Sequence, residues 1–260
     1  MKLEQLHKED NKLAIRITDT TAAYVNTLRR YLIARVPTMA IDYVEFKKNN
    51  TILYDEMVAH RLGLIPLTTD LESYSLPKEE WNEPTGDPRV ELQLTLSVPP
   101  AKQATVVTAK ELTSKDKKVV PVHKDMPIVK LMEGQDIEFI ATARLGTGEE
   151  HSKWSPGHVW YKHYPHIKIT KQPKQSEEVA KQYPDLFEVK SKKLSVKKGA
   201  EYLMPDKPLD VEGIEVTHKD GDYILFIESW GQLSPQDMIA HALSAYDQQL
   251  DEFTKLAKTL

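Results

Sequence analysis

Two apolar helical stripes, one near each end of the chain, constrain this sequence more than any other feature. In residues 235–260, Ile239, Ala242, Leu243, Tyr246, Leu250, Phe253, Ala257 and Leu260 recur at spacings of three and four, apart from one adjacent pair. That spacing puts them on one face of an α-helix. Ser234, Pro235 and Asp237 supply its start: a capping hydroxyl, a proline in the first turn and an acidic group at the positive end. Such a helix is about 39 Å long if it runs to the end of the chain. A terminal helix of that length does not easily bury its whole stripe inside a domain of ordinary size, so the stripe predicts a partner surface.

The second stripe lies in residues 20–36. Val25, Leu28, Leu32 and Val36 fall at i, i+3, i+7 and i+11, while Arg29 and Arg30 project from other sides. Asp19, Thr20 and Thr21 offer capping side chains, and Pro37 ends the helix by forcing its predecessor out of the α region. Residues 12–18, with Leu13, Ile15 and Ile17 alternating, predict a strand before it. Residues 39–47 predict a strand after it, with Ile41, Tyr43 and Glu45 on one face and Val44 and Phe46 on the other.

A short helix is expected over 54–62, with Asp55 and Glu56 at its positive end and Gly63 just past its last turn. Residues 70–89 have no period and read as a long surface loop. Strands follow at 90–98, 105–112, 128–131 and 136–145, with a charged tip at 114–118. Strands without long helices predict a mostly antiparallel domain. Residues 146–160 read as a loop and 166–170 as a short strand. Residues 171–198 then hold eight lysines against Glu177, Glu178, Asp185 and Glu188. That change of character suggests a separate surface module, with a helix at 177–183 and a hairpin from 186–189 and 193–196. Strands at 214–217 and 223–227 are joined through Asp220-Gly221, a turn signal.

Composition excludes several chemistries. There is no cysteine, so disulfides, thiolate metal sites, a cysteine nucleophile and a cysteine-held iron–sulfur cluster are all ruled out. A net charge of -4 means that any polyanion-binding patch is local. The first ten residues are charged and have no apolar run, which is not the pattern of a signal peptide. No stretch approaches a membrane span. A cytoplasmic protein is expected.

Several residues invite a sharper reading. Arg29 and Arg30 are cations on a helix, but apolar neighbours point to the rim of a protein contact rather than to nucleic acid. His151, His158, His163 and His166 fall within sixteen residues, which raises a metal-dependent hydrolase built on a histidine-rich loop. None of their gaps makes a helical i, i+4 pair. Gly146-Thr147-Gly148 lacks the Gly-Lys-Ser/Thr of a phosphate loop and reads as a turn. Asp55, Glu56 and His60 share a helix, where dipole compensation accounts for the two acids. The lysines of 171–198 offer a surface that could steer nucleic acid, and a free-standing nucleic-acid-binding module is the third reading.

Four blocks carry a family likeness in order: NTLRRYLIARVPTMAID, YDEMVAHRLGLIPL, ATARLGTGEEHSKWSPGHVWYKHYPHI and FIESWGQLSPQDMIAHAL. They resemble the D subunit of archaeal DNA-directed RNA polymerase, which is similar to the eukaryotic third-largest subunit and to the N-terminal domain of bacterial alpha. The resemblance implies an α+β fold in which a dimerisation domain is split between residues 1–43 and 211–260. A mostly β insert occupies 44–170. It implies a non-catalytic assembly subunit that pairs with subunit L, forming a platform for the large catalytic subunits and the small subunits N and P. The interface is expected at Val25, Leu28, Arg29, Arg30, Leu32, Ile239, Leu243, Tyr246, Leu250 and Phe253, with Arg30 toward a large subunit. Magnesium and phosphodiester formation belong to the large subunits, and template DNA is met only through the complex. Some members of that family hold iron–sulfur clusters in a ferredoxin-like third domain; residues 171–210 stand in its place as a cysteine-free remnant.

Overall fold

The structure is a computed structural model that describes residues 1–77, 81, 83–173, 175–191, 193–205, 209 and 211–259. Leu260 of the terminal stripe, Lys174 and Lys192 of the lysine-rich segment, and its boundary residue Asp210 lie outside the described residues. In order, the elements are β1 (Lys2–Lys8), β2 (Lys12–Thr18), α1 (Ala22–Ala34), β3 (Thr38–Asn49), α2 (Asp55–Gly63), β4 (Glu91–Val98), β5 (Thr105–Thr108), β6 (Thr113–Ser114) and β7 (Pro127–Leu131). Then come β8 (Ile137–Gly146), β9 (Gly157–Ile169), α3 (Ser176–Gln182), β10 (Phe187–Lys190), β11 (Lys193–Val196), β12 (Ile214–Ser229) and α4 (Pro235–Ala257). The chain is therefore a mixture of helices and antiparallel ladders, and it divides into two compact units. One is Met1–Arg29 with Val159–Ile227, the other Arg30–His158 with Glu228–Leu260.

The first unit is built on the sheet order β1-β2-β12-β9. Its third member corrects the sequence reading: β12 is one strand of 16 residues, not a hairpin turning at Asp220-Gly221. Gly221 takes a φ of +81°, and its carbonyl accepts a hydrogen bond of 3.4 Å from the Thr20 N–H. Glycine serves a left-handed backbone position here, where a Cβ would stand 3.2 Å from the Thr20 carbonyl oxygen, instead of reversing the chain. β9 is likewise longer than expected, 13 residues instead of a short piece at 166–170. Its signal is weak in the sequence because aromatic, basic and histidine residues are mixed along it without a clean alternation of apolar and polar positions. Trp160 stacks on Phe226 at 5.0 Å, and Arg16 lies 3.8 Å above the Tyr164 ring while its Nη2 donates to Asp222 at 2.7 Å.

The described residues of the lysine-rich segment are folded. Val179, Leu186, Phe187, Leu194, Ala200 and Met204 form a small core, flanked by Ile167, Ile169, Ile214 and Val216 from the ends of β9 and β12. β10 and β11 pair antiparallel from Phe187↔Val196 to Lys190↔Lys193, and Ser191 takes the left-handed turn. Apolar burial holds this module together.

The second unit contains the sheet β3-β8-β4-β6 and the ladder β5-β7. One core runs through it, from Met39 and Ile41 to Leu94, Leu131 and Phe139, closed by Val58 and Leu62 of α2. β3 differs from simple alternation. Its register against β8 shifts between Ile41 and Tyr43, so Ile41 joins the core with Val44 and Phe46 while Tyr43 and Glu45 face outward. The extra residue in that bulge is Asp42. Gly63 lies inside the last turn of α2 and Leu64 closes the helix, one residue later than expected. Loop residues before β4 are gathered by the buried Glu91 carboxylate, which accepts from Trp81 Nε1 at 3.3 Å, the Thr85 N–H at 3.0 Å and the Gly86 N–H.

Candidate subunit interface

The start of α4 follows from its sequence. Ser234 Oγ accepts from the Asp237 N–H at 3.2 Å, and Pro235 occupies the first turn. Met238 and Ala242 are fully buried, and Ile239 is half-buried. From there the helix emerges. Leu243 is 37% exposed, Leu250 45%, Phe253 70% and Leu256 67%. Every described residue from Asp247 onward is exposed. At about 1.5 Å per residue the exposed part to Ala257 is about 16 Å of helix, presenting its apolar stripe to water.

One side chain of α1 marks where α4 leaves the unit. The Tyr31 ring meets Tyr246 edge-on at 5.0 Å, and its hydroxyl is bonded to Gln249 Oε1. Sequence periodicity places Tyr31 beside the first stripe but cannot reveal a partner more than two hundred positions away.

The expected residues of α1 divide by depth. Val25 and Leu32 are fully buried, so at any seam they act as its support and not as its surface. Leu28 is half-buried. Arg29 is half-buried, with Nε donating to Asn26 Oδ1 at 3.1 Å, and Arg30 is exposed. Thr21 Oγ1 accepts from the Tyr24 N–H at 3.2 Å, confirming the cap. The other end is closed by the turn after β8, at residues 148–150, while Gly146 itself ends the strand. The Glu149 N–H donates to the Ala34 carbonyl at 3.1 Å, and Glu149 pairs with Arg35 at 2.5 Å. A Cβ on Gly148 would stand 2.2 Å from the Ile33 carbonyl oxygen, so glycine there serves close approach to the helix end.

A second polar cluster sits on the β3 bulge. Asp42 accepts from Arg144 Nε at 2.7 Å and from Lys153 Nζ. Burial alone would raise the Asp42 carboxyl; the hydrogen bonds from Lys153 and Arg144 outweigh it and hold the group below the ordinary carboxylate range. The Arg144 guanidinium also lies 4.4 Å from the centre of the buried Trp154 ring. Asp42 and Lys153 line a cleft of about 220 Å³ with His60 and His151, and Tyr54, Met57 and Leu64 are exposed nearby on and around α2. An acceptor already engaged by two cations is a structural anchor, not a general base.

The four histidines do not converge. His151 Nδ1 accepts from the Lys153 N–H at 3.0 Å, and His166 Nε2 lies 3.0 Å from Asp222 Oδ2. His163 packs on Tyr223 at 4.7 Å, and His158 is exposed. Three of the four are on β9, so the expected histidine-rich loop is mainly a strand. Among the described residues no group of three or more His, Asp or Glu side chains is placed to hold a metal ion. No helix is long and apolar enough to cross a membrane among them.

Residues 44–158 match the family described as RNA polymerase Rpb3/RpoA insert domain. The chain is 33% identical over 258 residues to DNA-directed RNA polymerase subunit Rpo3 of Pyrococcus furiosus, covering 97% of this chain and 95% of that one. It is 32% identical over 260 residues to the Rpo3 of Methanosphaera stadtmanae, covering 96% of each. Against the Rpo3 of Pyrobaculum aerophilum the identity is 38% over 208 residues, covering 80% of this chain and 76% of the relative. With this likeness along nearly its full length, and an insert-domain match over the second unit's β-rich part, the chain belongs to the Rpo3 family of archaeal DNA-directed RNA polymerase subunits.

Proposed function

We propose that this chain is a non-catalytic assembly subunit of DNA-directed RNA polymerase, heterodimerising with subunit L to form the platform on which the large catalytic subunits gather. One observation carries this reading: α4 holds Leu250, Phe253 and Leu256 in water on a preformed helix. A buried hydrophobic side chain contributes about 1.5–3 kcal/mol relative to an exposed one, so a partner that covers this stripe gains affinity from surface already in place. Val25, Leu28, Arg29, Leu32, Ile239, Leu243 and Tyr246 are the other residues assigned to partner contact. Arg30, exposed on α1, faces a large subunit.

The three-part division belongs to the same proposal: a dimerisation domain of residues 1–43 and 211–260, an insert of 44–170, and a third segment of 171–210 descended from a ferredoxin-like domain. The insert-domain match over 44–158 supports the first boundary. The large subunits hold the catalytic magnesium and carry out nucleotidyl transfer, subunits N and P join the same assembly, and DNA reaches this chain only through the complex. A cytoplasmic location follows from that role.

Affinity purification of the tagged chain from its native source, read by mass spectrometry, tests the proposal. Recovery of subunit L and the large polymerase subunits is expected. Recovery of the chain without them would overturn it. The Arg30→Ala chain should still retain subunit L but recover less of the large subunit; loss of subunit L would place that arginine on the wrong face.

A further inference from the structure

We propose that Tyr31 is the positioning residue of the subunit seam: it fixes the point and direction in which α4 leaves the second unit, and so presents the exposed stripe in a single orientation. This rests on α4 being the partner-binding helix. Tyr31 belongs to α1, whereas the stripe belongs to α4. Its ring packs edge-on against Tyr246 at 5.0 Å and its hydroxyl bonds Gln249, one helical turn further on. Beyond Gln249, among the described residues, the only side-chain hydrogen bonds of α4 and the two residues after it run to the helix's own carbonyls, from Thr254 to Leu250 and from Thr259 to Leu256. The Tyr31 contact is thus the last tether before Leu250, Phe253 and Leu256 enter solvent.

The two contacts do different things. An edge-to-face ring pair resists sliding of one helix along the other, and the hydroxyl bond one turn later resists rotation about that contact. Together they hold the helix azimuth, which decides the side toward which the stripe points. A stripe that wanders must be ordered when a partner binds, and that ordering subtracts from affinity. Fixing it in advance places Tyr31 in the binding energetics even where its own ring touches no partner atom.

The test uses the full-length chain and recombinant subunit L of the same source. Affinity is measured by titration, and amide hydrogen exchange is followed across residues 249–256 of the free chain. Tyr31→Ala should lower affinity about tenfold and speed exchange in that segment, while Tyr31→Phe, which keeps the ring, should recover most of both. Gln249→Ala changes only an exposed position, so it tests the hydroxyl contact without threatening the fold. It should reproduce the smaller loss of Tyr31→Phe, and the double variant should lose no more than either alone. Unchanged affinity in Tyr31→Ala overturns the inference. So does a loss of affinity with unchanged exchange, which would make Tyr31 an ordinary contact residue. Failure of the unaltered chain to bind subunit L would instead overturn the proposed function.

Discussion

Asp42 illustrates how one residue binds local geometry to electrostatics. It is the inserted residue of the β3 bulge, and the bulge lets Ile41 reach the core while turning a carboxylate toward Arg144 and Lys153. Asp42→Asn keeps the shape but takes the carboxylate away from the largely buried Lys153 and leaves the largely buried Arg144 with Glu150 alone. We expect a loss of about 2 kcal/mol at pH 7, below the 3–5 kcal/mol of a fully buried pair because Asp42 keeps some contact with water. The pH dependence has a definite sign. The folded carboxyl sits below its ordinary value, so its contribution is complete above the unfolded pKa of about 3.9 and is lost as pH falls through the lower folded value. Urea unfolding of both chains should show a clear gap at pH 7 that narrows in acid below about pH 4. A gap that stays constant into acid would show that Asp42 works by shape and not by charge. Asp222, with Arg16 and His166, is a second group of the same sign: burial raises it, and the Arg16 hydrogen bond first among the opposing influences brings it down.

At the scale of elements, α4 is a helix with two environments, buried at Met238 and Ala242 and uncovered from Asp247 onward. Replacing Leu250 and Phe253 together with glutamine keeps helix propensity and adds no charge to act on the dipole. Both positions are exposed, so the melting curve should be nearly unchanged, within the about 0.5 kcal/mol typical of surface changes. On the proposed seam, binding of subunit L should fall at least about a hundredfold, since each anchor would otherwise bury a side chain worth about 1.5–3 kcal/mol. Unaltered binding would move the seam off this stripe. Both main helices were legible in the sequence because period and cap agree: three-and-four spacing, Thr21 before α1 and Ser234 before α4. β12 was not, because Asp220-Gly221 is a strong local turn signal that tertiary context overrides, with Gly221 meeting the approach to α1. β9 was hidden by its mixture of rings and charges, whose partners, such as Phe226 and Asp222, lie far along the chain. The exposed stripe was legible as a pattern. Which of its residues are spent inside the chain was not, since burial of Val25 and Leu32 depends on neighbours that periodicity does not name.

For the whole molecule, the uncovered stripe has a consequence for the isolated chain. Phe253, Leu256 and Leu250 remain in water, and a net charge of -4 on 260 residues gives only modest repulsion between copies. Two such stripes can cover each other, as can any amphipathic helices left unpaired. The isolated full-length chain should therefore self-associate with rising concentration. Because the driving surface is apolar, the association should persist or strengthen in high salt, where a charge-driven contact would weaken. Adding the proposed partner, subunit L, should replace the self-associated species with a one-to-one complex if it covers the same stripe. Sedimentation velocity across a concentration series, at low and high salt and with and without subunit L, measures all three effects. Self-association that dissolves in salt would point to the lysine-bearing module of residues 171–198 instead. A single monomeric species at every concentration would mean that the α4 stripe is not adhesive, and the seam would then have to be sought on another exposed surface, beginning with Tyr54, Met57 and Leu64 around α2.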